Sequence, residues 1–148
     1  MSVFRRHLPD EEGSTLILAI FYGMLALILV LLVTAATSLY LERKRLFSLA
    51  DAAALVGAEA FELTTVSVTD GVPAVTLRSA DVNAAVTDFL DENPVGSFEE
   101  LRLEQAATVD GKSATVTLSS YWRPPVLTAF VPAGIRLDVT SVARSVFR

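Results

Sequence analysis

Apolar and polar positions follow three different patterns along the chain. From Gly13 to Leu41 the sequence GSTLILAIFYGMLALILVLLVTAATSLYL holds no Asp, Glu, Lys, Arg or His. A helix rising about 1.5 Å per residue crosses a ~30 Å hydrocarbon layer in roughly 20 apolar residues, so the run predicts a transmembrane helix over 13–41. A secretory signal peptide has a shorter apolar region, about 7–15 residues behind a basic start. Here Asp10, Glu11 and Glu12 stand directly before the run. Residues 1–12, MSVFRRHLPDEE, read as a polar tail.

The helix is expected to continue past the apolar run, because ERKRLFSLADAAALVGAEAFE has no Gly or Pro before Gly57 and is rich in Ala and Leu. Leu46, Leu49, Ala50, Ala53, Val56, Gly57, Ala60 and Phe61 recur at steps of three and four, while Lys44, Ser48, Asp51, Glu59 and Glu62 fall on the other side. The two halves together make one rod of roughly 70 Å, the first half apolar all round and the second amphipathic. Small residues lie at the steps that permit close helix contact, Ala19, Gly23 and Ala26 in the span and Ala50, Ala53, Gly57 and Ala60 beyond it. Thr34, Thr37 and Ser38 can return their hydroxyls to carbonyls of the preceding turn.

Beyond Glu62 the period changes to two. Thr64 to Thr69 and Val72 to Arg78 flank Asp70-Gly71, a hairpin signal whose register would set Thr69 against Val72, Val66 against Val75 and Thr64 against Leu77. Pro73 lacks an amide proton, which makes its strand an edge or irregular there. Ser79 is expected to cap a helix from Ala80 to Glu92 with Val82, Ala85, Val86 and Phe89 inward, ended by Asn93-Pro94. A second hairpin turns at Asp110-Gly111, with Leu101, Leu103, Ala107 and Val109 continued on one face by Ala114, Val116 and Leu118. Pairing Val109 with Lys112 sets Leu103 opposite Leu118, and Gln105 is the polar exception on that face. A last strand from Ile135 to Phe147 directs Ile135, Leu137, Val139, Ala143 and Phe147 one way and Arg136, Asp138, Thr140 and Arg144 the other. The expected fold is α+β, a long N-terminal transmembrane helix extended as an amphipathic helix packed on an antiparallel sheet, with the domain over 42–148.

The connection from Tyr121 to Pro132 is unusually apolar. It reads either as a crossover tucking Leu127 and Phe130 under the sheet or as an exposed partner patch of Trp122, Leu127 and Phe130.

Composition narrows the function classes. Of 148 residues, 52% are hydrophobic, a value raised by the apolar run, and the net charge is −5. From Leu46 onward acidic residues outnumber basic ones by 13 to 7, which argues against a nucleic-acid partner. Arg5 and Arg6 before the span nearly balance Arg43, Lys44 and Arg45 after it, so charge alone does not orient the helix. No cysteine is present, and His7, the single histidine, has no second ligand near it. There is no GxxxxGK[ST], GxSxG, CxxC or HExxH motif, and the pairs Asp91-Glu92 and Glu99-Glu100 read as solvated charge. No cofactor, metal or small-molecule substrate is expected, and an enzyme is the last of the readings.

The order of acidic residues, Gly13-Ser14-Thr15, apolar span, Tyr40-Leu41-x-Arg43-x-Arg45 and Ala50-Asp51-Ala52-Ala53-Ala54-Leu55-x-Gly57-Ala58 resembles TadE/TadG-like proteins of the bacterial Flp (Tad) pilus system. The resemblance covers about the first 60 residues, and the closing Val139-x-x-Val142-Ala143-Arg144 is compatible with it. It implies a pilin-like anchor helix, an extracytoplasmic C-terminal domain, and a minor pilin or pseudopilin acting in pilus assembly. Its partners would be the bilayer and other membrane or pilus subunits. The resemblance also makes Gly13-Ser14 the candidate processing site. TadE-type members carry a Glu five residues after that Gly, and here the position is Leu18, which implies inefficient cleavage. The alternatives are an accessory subunit of another envelope membrane complex and a membrane-tethered binding module.

Overall fold

The computed structural model describes residues 12–61, 67–69, 72–74, 76–93, 96, 98–124 and 132–144. In chain order these form helix α1 (Glu12–Glu59), strands β1 (Ser67–Thr69) and β2 (Val72–Ala74), helix α2 (Ser79–Glu92), and strands β3 (Glu99–Ala107), β4 (Ser113–Trp122) and β5 (Ile135–Arg144). The fold is α+β, with one long apolar N-terminal helix and a small three-stranded antiparallel sheet of order β3-β4-β5. The chain divides into two compact units, Met1–Thr37 and Ser38–Arg148.

In the first unit the described residues are helical, and Thr34 and Thr37 donate their hydroxyls to the carbonyls of Val30 and Val33 at 2.8 and 2.9 Å. That removes the need for any other polar partner in an apolar run.

In the second unit the remaining turns of α1 pack on one face of the sheet. Leu46, Ala50, Ala53, Ala54 and Ala58 are buried, as are Ala114, Val116 and Leu118 of β4 and Val82 and Val86 of α2. The buried stripe of α1 is rotated from the expected one: Ala54 and Ala58 join it, while Leu49, Val56, Ala60 and Phe61 are half-buried at its margin. Small side chains along this stripe bring helix and sheet close. A Cβ on Gly57 would lie 3.2 Å from the Ala114 methyl and 3.1 Å from Val82 Cγ1. At the other end of the contact, the Trp122 indole nitrogen donates to Ser38 Oγ at 3.2 Å. Ser38 to Gly57 spans about 28 Å of helix and Trp122 to Ala114 about 26 Å of strand, so α1 runs antiparallel to β4 along its length.

The two-stranded sheet has the expected register, Thr69↔Val72, Val68↔Pro73 and Ser67↔Ala74. Thr64, Val66 and Val75 lie outside the described residues. Leu77 does not continue that hairpin: it is buried, and its amide donates to Gly111 O at 2.8 Å. Ser79 does not cap α2. The cap position is Arg78 with no side-chain bond, and Ser79 Oγ instead donates to Thr108 O and accepts from Thr108 N, both at 3.2 Å, tying the helix start to the end of β3. At the far end Asn93 closes α2 as expected, its amide and side chain both donating to Phe89 O.

The second hairpin departs from a two-residue turn, and the reason is a bulge. Leu103 pairs with Leu118, but past it the register shifts by one, to Gln105↔Thr117, Ala106↔Val116 and Ala107↔Thr115. The extra residue, Glu104, flips the alternation of everything after it. Ala106 is therefore buried, Gln105 is exposed, and Val109, expected inward, is 89% exposed in the turn. The lengthened turn is held by Asp110 Oδ1, which accepts from Lys112 N at 2.8 Å and from Ser113 N and Ser113 Oγ at 2.7 Å. Gly111 takes φ +67, where a Cβ would be strained. A second shift between Glu99 and Arg102 puts Glu100 at φ 52. In β5, Leu137, Val139 and Ser141 face inward and Arg136, Asp138 and Thr140 outward. Ile135 is exposed, and Phe147 lies outside the described residues.

Candidate functional site

Two surfaces of α1 carry the functional argument. Along the apolar run the large side chains from Leu16 to Val33, the half-buried Leu31 excepted, are roughly half exposed or more. A helix apolar all round needs either a protein core or a hydrocarbon layer around it. The helix is long and apolar enough to cross a membrane, and none of that window is buried. Ala19, Gly23 and Ala26 are exposed within this surface, and a Cβ on Gly23 would meet nothing within 4 Å. Gly13 and Ser14 lie in the first turns of α1.

Of the residues beyond the apolar run, Ala50, Ala53 and Gly57 are buried against the sheet, and Ala60 follows the last helical residue, half-buried. Two polar contacts flank this interface. Besides Trp122 to Ser38, the Ser141 hydroxyl donates to Asp51 Oδ1 at 2.9 Å. Neither was anticipated, although Ser141 gave a signal: it is the polar residue on the inward phase of an otherwise apolar strand face. Trp122 is 7% exposed and belongs to β4, so it offers no patch to solvent in the chain itself. Leu127 and Phe130 lie outside the described residues.

A groove of roughly 500 Å³ opens beside α1, with Leu41, Leu49 and Phe98 among its walls and Lys44 and Arg45 lining it. Phe98, just before β3, was not anticipated there. Sequence spacing carries no signal for a contact between residues so far apart.

The outer face of the sheet is charged. Arg136 Nη2 contacts Glu104 Oε1 at 3.0 Å and Asp138 Oδ1 at 2.9 Å, and the bond to Asp138 raises the guanidinium pKa above its ordinary value. Ser119 Oγ donates to the same Glu104 oxygen at 2.6 Å. Glu99 and Glu100 are held by Arg123 at 2.6 and 3.6 Å, while Asp91 and Glu92 are exposed. Among the described residues no group of three or more His, Cys, Asp or Glu could hold a metal ion. His7 lies outside them.

Residues 13–60 match the family described as putative Flp pilus-assembly TadE/G-like. The match coincides with the apolar run and the sheet-packed half of α1. No similar curated protein and no similar solved structure is found.

Proposed function

We propose that the protein is a single-pass, membrane-anchored, minor-pilin-like subunit that acts in pilus assembly by packing its helix and domain against other subunits. The observation that carries this reading is the division of α1 within the matched segment. Its first half exposes uncharged apolar surface all round, and its second half is consumed by the sheet of its own chain. The family match supports a role in Flp pilus assembly. In this reading residues 13–41 span the plasma membrane, residues 42–148 form an extracytoplasmic domain, and Ala19, Gly23 and Ala26 face a neighbouring helix in lipid. The protein acts through contact rather than catalysis. A second reading, an accessory subunit of another envelope membrane complex, is favoured by Leu18, which stands where the family pattern has Glu.

Reporter fusions at Arg148 test the orientation. An export-dependent reporter should be active and a cytoplasm-only reporter silent; the reverse pattern overturns the topology. Gly23→Leu should then lower co-purification of partner subunits while leaving the outer domain folded. Unchanged recovery would confine the interaction to the outer domain.

A further inference from the structure

We propose that the groove beside Leu41 binds an anionic phospholipid, its phosphate at Lys44 and Arg45 and an acyl chain against Leu41, Leu49 and Phe98. This rests on the reading of α1 as a membrane anchor.

Three observations support that occupant. The first is the chemistry of the walls: the lining is mainly apolar, with Leu41, Leu49 and Phe98, and the side chains of Lys44 and Arg45 border it, which fits an amphiphile with a negative head. A free anion would leave Leu41, Leu49 and Phe98 unused, and an apolar helix face would leave the charge of Lys44 and Arg45 unused. The second is depth. Leu41 is the last residue of the uncharged run, and Lys44 follows it by three residues, about 4.5 Å of helix rise. That is where hydrocarbon gives way to headgroups.

The third is charge. Arg102, Arg123 and Arg136 are each held by carboxylates, whereas Lys44 and Arg45, like Arg43, Arg78, Lys112 and Arg144, make no ion pair among the described residues, and of these only Lys44 and Arg45 line the groove. Their charge is left available for a ligand. The chain from Leu46 onward, with 13 acidic and 7 basic residues, is repelled by an anionic surface, so attraction to one must be local to the Arg43-Lys44-Arg45 stretch.

The test uses the full chain reconstituted in phosphatidylcholine vesicles carrying trace spin-labelled phosphatidylglycerol or spin-labelled phosphatidylcholine, with the motionally restricted fraction of each label measured. The restricted population should favour phosphatidylglycerol on the order of tenfold, from two cations acting near the headgroups. Lys44→Gln with Arg45→Gln should bring the preference to near unity. Arg78→Gln with Arg144→Gln, an equal loss of charge away from the groove, should leave it unchanged. Phe98→Ala should lower the restricted fraction of both labels. Absence of a preference, its survival in the Lys44/Arg45 variant, its equal loss in the Arg78/Arg144 variant, or an unaltered fraction in Phe98→Ala each overturns the proposal. A chain that fails to float with vesicles overturns the anchor reading and this proposal together. A chain that floats without selecting a lipid overturns this proposal alone.

Discussion

Ser141 Oγ donates to Asp51 Oδ1 at 2.9 Å, joining β5 to α1 across ninety positions of sequence. The two ends of this bond differ in environment: Ser141 is 6% exposed and Asp51 is exposed. Losing the serine leaves a carboxylate that water can solvate, while losing the aspartate leaves a buried hydroxyl without its acceptor. Ser141→Ala should therefore cost about 0.5–1 kcal/mol. Asp51→Ala should cost more, about 1–2 kcal/mol before a helix-propensity gain of roughly 0.5 kcal/mol is subtracted. A double-mutant cycle by chemical denaturation of the detergent-solubilised protein should give a coupling of about 1 kcal/mol. A coupling near zero would show that the bond contributes nothing.

Gly57 and Gly23 should respond oppositely to the same change. The space a Cβ would need at Gly57 is bounded by Val82, Val86 and Ala114 at 3.1 to 3.2 Å, whereas the space at Gly23 is open. Gly57→Leu overpacks the helix-sheet contact and should destabilise the domain by about 1–3 kcal/mol or more, read as a lower melting temperature with or without partners. Gly23→Leu should leave that melting temperature where it is. A wild-type melting temperature in Gly57→Leu would mean that α1 does not approach β4 this closely.

How much of this was legible in the sequence depends on the range of the interaction concerned. The long apolar helix follows from an uncharged run, and the pairing of Leu103 with Leu118 and the alternation of β5 from a local period of 2, and the structure has them. The bulge at Glu104 was written only as an anomaly, Gln105 on an apolar face. Reading that residue as the sign of a flipped alternation would have moved Ala106 inward and Val109 out. Ser79 illustrates a different failure: a good capping residue took a tertiary partner, Thr108, in place of its own helix. The walls of the groove bring Leu41 and Phe98 together through the fold alone, and no local pattern encodes that.

The turn after β3 carries a pH dependence. The Lys112 amide, followed by the Ser113 hydroxyl and amide, stabilises ionised Asp110 and lowers its pKa from 3.8 to about 2. The folded carboxylate stays charged where the unfolded one takes up a proton. Its stabilising contribution is thus complete above about pH 4 and is lost as pH falls toward about 2. The Asp110 carboxyl should titrate near 2 by NMR, and Asp110→Asn should flatten the acid side of the stability profile between those values. Titration near 4 would mean that the three bonds to Oδ1 are not held in solution.

The last expectation concerns the bond between Gly13 and Ser14. The family resemblance makes it a candidate processing site, yet the residue five positions after Gly13 is Leu18 rather than Glu, and the bond lies in the opening turns of α1. A carboxylate at that position would have to be held near the end of an apolar helix, at a cost of up to about 2.5–3.5 kcal/mol at mid-bilayer and less toward the interface, so a subunit lacking it enters lipid more readily. The dominant form extracted from membranes should accordingly retain its first thirteen residues, which intact mass spectrometry reports directly. Leu18→Glu, with the family's residue restored, should raise the truncated fraction when the cognate peptidase is present. A dominant species beginning at Ser14 in the wild type would show that Glu is dispensable here and would return the protein to the processed, filament-entering class.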